Sequence, residues 1–412
     1  MITRKILAAS IIIALSVIFY GALWAELPPD DPPDNFRDFI KAGKLEGQFR
    51  TYYMKRHFDT PRTQESMAMG GSLGYATYPW HGLSAGLAAS TSQGVIFTNH
   101  KNDGAGLLAP GQDGYTVLSQ AYFQAEKGRN NLRLFRQMLE TPFINSFDVK
   151  ITPITVEAYT LESKLITNFD LLVSHVTKIK GWNKTKFINM SEAAGFSGTD
   201  DPVTLLGLVF TPKEGYSLQL WEYYCHEFMN VIYLQADANW KLNEGLSLSG
   251  SIQAFDQQDT GKALDGEFHT GMLGVQTGVD WQGANFKLGY TITDKDHDIV
   301  NPWGAYPGYT SIMEEDCDLA GEKSWVFGIA YDFARIGLKG LTAFINHTRS
   351  SMPSSSTFFA SDQYETDFTA DYSFSGKLEG FKLRLRAAFV DNSKDMGGAD
   401  YSDYRVIINY DF

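Results

Sequence analysis

The sequence predicts an all-β protein: a transmembrane antiparallel β-barrel of about 18 strands with a constriction loop folded inward. Three observations lead there. From residue 44 onward, about eighteen stretches of roughly ten residues alternate apolar and polar side chains with period two. The links between them alternate in length, tight at one end and long at the other. After residue 25, no apolar stretch approaches the ~20 residues that a spanning helix needs. A membrane-embedded mature chain must therefore cross as strands.

Residues 1–25 read as a secretory signal, because Arg4 and Lys5 precede the apolar "ILAASIIIALSVIFYGALWA" and Ala25 stands before the acidic "ELPPDDPPD". Leu23 and Trp24 make an imperfect cleavage site, so an uncleaved N-terminal anchor is the alternative to cleavage after Ala25. Residues 26–43 are expected to form a short periplasmic segment, and residues 44–412 the barrel. Aromatic residues at 14% and 38 glycines suit many short strands with one apolar and one polar face. Loss of Arg4 and Lys5 takes the formal net charge from -13 to -15, which argues against a nucleic-acid partner. Cys225 and Cys317 are too few for a disulfide scaffold and have no metal-ligand spacing, so neither metal nor cofactor is expected.

The strand signal is clearest in "VIYLQADANWKL", where Ile232, Leu234, Ala236, Ala238, Trp240 and Leu242 oppose Tyr233, Gln235, Asp237, Asn239 and Lys241. The next stretch, "LSLSGSIQAF", repeats the pattern. Alternation suits a soluble sandwich as well as a barrel, so the connections decide. "YPWH" (78–81), "KGRN" (127–130), "LNEG" (242–245), "QGAN" (282–285) and "RIGLKG" (335–340) are tight, whereas 95–114, 179–201 and 295–322 are long. Short periplasmic turns and long extracellular loops are the asymmetry of an outer-membrane barrel. Trp80, Trp240 and Trp281 lie at or beside short turns, where an interfacial belt is expected. An even strand count puts both termini on that side, so "YRVIINYDF" is expected to pair with "KLEGQFRTYYMKR" and close the barrel without an exposed edge. The terminal Phe412, with apolar residues at alternate places before it, resembles the signal read by the barrel-assembly machinery.

With Phe412 and its alternates toward outer-membrane lipid, Arg405 faces the lumen. In "FKLRLRAAF" the same parity turns Lys382, Arg384 and Arg386 inward, and Arg50 faces inward across the closure. These five cations form one basic stripe whose members, two apart on a strand, stand about 6.6 to 6.8 Å apart. A carboxylate can pass from one guanidinium fork to the next. In "QYETDFTADYSF", Glu365, Asp367 and Asp371 turn inward as an acidic wall beside it. Together the two walls either set a transverse field that selects by charge or simply neutralise each other. The apolar link "ETPFINSFDVKITPIT" (140–155) is expected to fold inward as the constriction, with Phe143 and Phe147 in it and Asp148 and Lys150 lining the pore; a weak strand over 151–160 is the alternative.

"KSWVFGIAYDFARIGLKGLTAF", "YETDFTADYSFSGKLEGFKLRLRAAF", "YRVIINYDF", "GKLEGQFRTYYMKR" and "GGSLGYATYPWHGLSAGLAA", in this order and spacing around the barrel, resemble the OprD family of outer-membrane porins. The likeness is strong at both ends and thin through 179–228. It implies a monomeric 18-stranded barrel in the outer membrane of a Gram-negative bacterium, a third extracellular loop folded inward, and a basic ladder guiding small carboxylate or amino-acid solutes. Arg50, Lys382, Arg384, Arg386 and Arg405 match the ladder positions. Asn346, in "LTAFINHTRS", stands where the family often has a lumenal Arg, which bears on substrate preference.

Two other functions compete with a diffusion channel. A barrel enzyme of lipase or protease type would draw on Ser174-His175 or Ser92 near His100, yet no nucleophile, base and orienter form a recognisable motif. An adhesin or structural barrel would need no cationic track and would be expected to plug its lumen with large side chains. Cys225 and Cys317 both fall on the extracellular side, where a disulfide and two unpaired thiols are equally compatible with the topology.

Overall fold

The computed structural model describes residues 36–95, 99–351, 362–392 and 399–412. The signal expected over 1–25 lies outside them, as do residues 26–35. A short helix, α1 (Phe36–Lys41), leads into eighteen antiparallel strands that span the barrel. In chain order these are β1 (Lys44–Phe58), β2 (Thr63–Ala76), β3 (Leu83–Gly94), β4 (Tyr115–Lys127), β5 (Asn130–Gln137) and β6 (Thr155–Ser163). They continue as β7 (Phe169–Lys180), β8 (Val203–Lys213), β9 (Tyr216–Cys225), β10 (Met229–Asn243), β11 (Leu246–Asp259) and β12 (His269–Trp281). The last six are β13 (Ala284–Thr293), β14 (Lys323–Asp332), β15 (Leu341–Ser351), β16 (Gln363–Ser373), β17 (Phe381–Asp391) and β18 (Tyr401–Asp411). Each pairs with its sequence neighbours, and β1 pairs with both β2 and β18, so every backbone ladder is closed. A two-residue strand, Ile188–Asn189, lies against the end of β7.

The side-chain period dictates two faces. Phe49, Leu218, Ile252, Phe327, Leu385 and Ile408 stand exposed on the outer surface, as a lipid-facing wall requires. Trp80, Trp240 and Trp281 are exposed as well, at the short-turn end. There the hairpins are tight: Gln282 and Gly283 both have positive φ, 47° and 88°, the backbone that lets a two-residue turn follow the strand twist. At the opposite end run the long connections. The third (138–154, L3), fourth (181–202, L4) and seventh (294–322, L7) turn back into the barrel.

One side of the lumen is a packed core. Phe143 of L3 sits edge-on to Tyr223, Tyr233 and Phe255 at ring-centroid distances of 5.6, 6.0 and 5.2 Å. Trp303 of L7 is buried against Phe228 and donates its indole N–H to the Met190 carbonyl of L4 at 3.0 Å. Three loops are thereby joined to β8–β12, displacing open space toward β1 and β16–β18. The alternative strand over 151–160 is realised only from Thr155, where β6 begins; residues before it belong to L3.

Candidate functional site

Register places the cations as rungs. Across the β17–β18 ladder, Arg386 lies opposite Arg405, Arg384 opposite Ile407 and Lys382 opposite Asn409; across the closure, Arg50 lies opposite Asn409 and Arg56 opposite Asp403. From Arg56 to Arg50 the stripe therefore descends three rungs, about 20 Å. Arg56 was not singled out from the sequence, although it shares the parity of Arg50, Tyr52 and Met54.

The stripe is not bare. Arg50 holds Asp148 of L3 bidentately at 2.8 and 3.0 Å and donates to Asn409 at 2.7 Å. Arg384 holds Asp371 at 2.6 and 3.0 Å, and Lys382 holds Asp411 at 3.1 Å. Arg405 bonds Asp403 at 2.7 Å and Glu314 of L7, the carboxylate that also takes Arg56. Arg386 differs: it donates to the Thr369 hydroxyl at 3.1 Å and, among the described residues, has no carboxylate at ion-pair distance. Arg386 and Arg405 face each other as like charges, an arrangement that neighbouring anions offset.

The expected acidic wall does not face the pore as a unit. Glu365 and Asp367 are each only 1% exposed. Glu365 accepts the backbone N–H groups of Glu314 and Glu315 at 3.0 and 2.8 Å, and Asp367 accepts that of Asn346 at 3.1 Å. Only Asp371 remains partly open, spent on Arg384. The physical reason is that the L7 tip covers Glu365 and that Asp367 turns onto the β15 backbone, neither of which parity can reveal. Phe143, expected in the inward-folded loop, lies in L3 with three aromatic rings around it.

A cavity of about 470 Å³ remains between L3, L7 and the basic wall. Arg56, Arg386, Arg405 and Lys150 line one side, and Phe147, Trp182 and Tyr306 contribute aromatic surface. Phe147 and Trp182 lie 4.8 Å apart, with the Trp182 indole N–H donated to the Phe147 carbonyl at 2.8 Å. Lys150 donates to the Ala105 carbonyl at 3.1 Å and, like Arg386, has no ion pair among the described residues. Of the four residues expected in the constriction, Phe147 and Lys150 thus line the cavity, Asp148 clamps Arg50, and Phe143 anchors the loop. Asn346 on β15 lies near Lys287 on β13, with Gly328 of β14 between them: a Cβ on Gly328 would meet Asn346 Oδ1 at 2.5 Å and Lys287 Cε at 3.2 Å.

Residues 37–412 match the family of outer membrane porins designated OprD. The chain belongs to the OprD family of outer-membrane porins. Porin D of Pseudomonas aeruginosa is 21% identical over 409 residues, covering 91% of both chains. Among solved structures, P. aeruginosa OccK9 (OpdG) superposes with a TM-score of 0.84 at 22% identity, over 91% of this chain and 99% of that one. P. aeruginosa OpdK, crystallised with vanillate, gives 0.80 at 18%, again over 91% and 99%. A BenF-like porin from Pseudomonas fluorescens Pf-5 gives 0.82 at 18%, over 91% and 99%. These likenesses establish the barrel; the porin's relatives are channels of the Gram-negative outer membrane.

The residues considered for other chemistry stand apart. Ser174 bonds Thr160 at 2.8 Å inside the barrel, while the adjacent His175 faces outward and bonds Thr204 at 2.9 Å. Ser92 donates to the Leu107 carbonyl at 2.7 Å. Cys225 and Cys317 are free, buried thiols with separate surroundings, the first against the Asp201 carbonyl and the second against Thr310 and Ser350. A disulfide between them is therefore not formed.

Proposed function

We propose that this porin lets small carboxylate-bearing solutes, amino acids among them, diffuse passively along the lumenal basic stripe formed by Arg50, Lys382, Arg384, Arg386 and Arg405. The observation that carries the reading is Arg386: a guanidinium on the wall of a water-accessible cavity, with no carboxylate partner among the described residues, beside Lys150 in the same condition. An entering carboxylate gains charge-assisted hydrogen bonds there, while the Phe147–Trp182 surface opposite takes an apolar or flat substituent. The paired cations below serve as exchange points, since a carboxylate can replace Asp371 or Asp148 on its fork without a change in net charge. The vanillate in the OpdK crystals is consistent in chemical type.

Phe412 is proposed as the assembly signal, with the chain inserted as a monomer. It closes the seam through paired backbone bonds with Gly47 at 3.0 Å in both directions. The test is single-channel conductance of the refolded chain in planar bilayers against acetate, benzoate and glutamate. Carboxylate-dependent block that weakens in an Arg384→Gln/Arg386→Gln double variant is expected. Identical block in the double variant, with the barrel still folded, sinks the reading.

A further inference from the structure

L7 carries its own carboxylate into the ladder. The Glu314 side chain is 6% exposed and joins Arg56 and Arg405 at once, one oxygen to each guanidinium. Both arginines also share Asp403, at 3.1 and 2.7 Å. The backbone is fastened separately: Glu365 takes the N–H groups of Glu314 and Glu315, and the Tyr401 hydroxyl bonds the Glu315 carboxylate at 3.0 Å. A turn from Ile312 N–H to the Glu315 carbonyl, 3.2 Å, presents this tip to the wall. Ile312, Met313 and Glu314 consequently form one border of the cavity.

We propose that Glu314 is a built-in surrogate for the permeating carboxylate, a latch that holds the L7 tip across the upper rungs until a solute carboxylate takes its place. The inference rests on the carboxylate reading above. With the latch shut, two guanidiniums face two carboxylates, Asp403 and Glu314. Withdrawal of Glu314 alone leaves Arg56 and Arg405 with Asp403 only, an uncompensated positive charge in a confined site. Exchange for an incoming carboxylate keeps the charge balance and restores both forks, so the exchange is nearly isoenergetic at the ladder while vacating it is not. Solutes without a carboxylate meet a narrowed passage. Selectivity thus arises from which ions can displace the latch as well as from which ions bind the wall.

The experiment compares the wild-type chain with Glu314→Gln and Glu314→Asp in planar bilayers, using chloride alone and then acetate or benzoate. Glu314→Gln keeps the side-chain size but gives up the charge that holds the tip. It is expected to raise chloride conductance or open time and to lower the half-blocking acetate concentration about tenfold or more, with Glu314→Asp between the two. Glu365→Gln, which weakens the backbone fastening and leaves the Glu314 charge in place, should move conductance in the same direction and serves if Glu314→Gln fails to refold. Block at the same concentration and conductance in wild type and variants overturns the latch and leaves the carboxylate reading standing. Absence of block by either carboxylate in any channel overturns both.

Discussion

Replacement of Arg386 by Gln isolates the one ladder arginine that has no carboxylate partner among the described residues. A hydrogen bond to a charged group contributes about 1.5–3 kcal/mol, and about 1.4 kcal/mol corresponds to a factor of ten. The half-blocking concentration of benzoate should therefore rise by about ten- to a hundredfold. Barrel stability should barely change. The 3.1 Å bond to Thr369 is donated by Arg386 Nε, a position the Gln amide nitrogen also reaches, and the substitution relieves the like-charge opposition to Arg405, about 0.2–1 kcal/mol. Titration of single-channel block at fixed ionic strength measures the first effect, and the temperature at which the folded band is lost on a gel measures the second. A benzoate titration shifted less than twofold, in a barrel of unchanged stability, would refute the assignment of Arg386 as the open rung.

Phe143→Ala should cost about 3–5 kcal/mol of local packing and release L3 from Tyr223, Tyr233 and Phe255. Noisier, larger conductance from an intact barrel is the expected record, and quiet wild-type conductance would show that L3 is held elsewhere. In L7, burial and the neighbouring Asp316 and Glu322 carboxylates push Asp318 up to about 7. A raised carboxylate binds its proton more tightly with the loop packed, so its contribution to closure is full below the ordinary value of 3.8 and is lost as pH rises through about 7. Conductance should accordingly be lower and steadier at pH 5.5 than at pH 8, and Asp318→Asn should flatten that difference; an unchanged pH profile in the variant counts against it. At the seam, a Cβ on Gly47 would run into the Phe412 ring. Gly47→Val and deletion of Phe412 should both reduce the heat-modifiable barrel in outer-membrane fractions, and normal levels of either protein would argue against the seam as an assembly determinant.

Much of the wall was legible in the sequence because a strand has only two faces. Parity alone assigns Arg50, Lys382, Arg384, Arg386 and Arg405 to the lumenal side, and loop lengths assign its two ends. Arg56 and Lys287 obeyed the same rule and were available to it. The interior was not legible. Glu314 lies 258 positions from Arg56 in the chain, within a polar, Asp-rich link that reads as a solvated loop. Its inward fold depends on Trp303 and Tyr306 reaching an aromatic cluster that no local pattern announces. The apolar run around Phe143 did signal an inward loop, yet composition cannot tell a residue that narrows a pore from one that anchors the loop doing so. Nor does parity say which lumenal cations are already neutralised, since Asp148 and Glu314 come from loops.

The one-sided filling of the barrel divides labour within a single cross-section. Substitutions among Tyr223, Tyr233 and Phe255 on β9–β11 should act on how firmly the loops are seated, whereas under the proposed carboxylate function charge exchanges on β1 and β16–β18 should act on what passes. Arg384 and Arg386, which no loop carboxylate contacts among the described residues, share no neighbour with those aromatic residues, so their effects should add, whereas Arg50, Arg56 and Arg405 also hold L3 and L7. A lineage can therefore retune its diet by altering a few wall charges while the packed side keeps the loops in place, and a protein engineer can do the same.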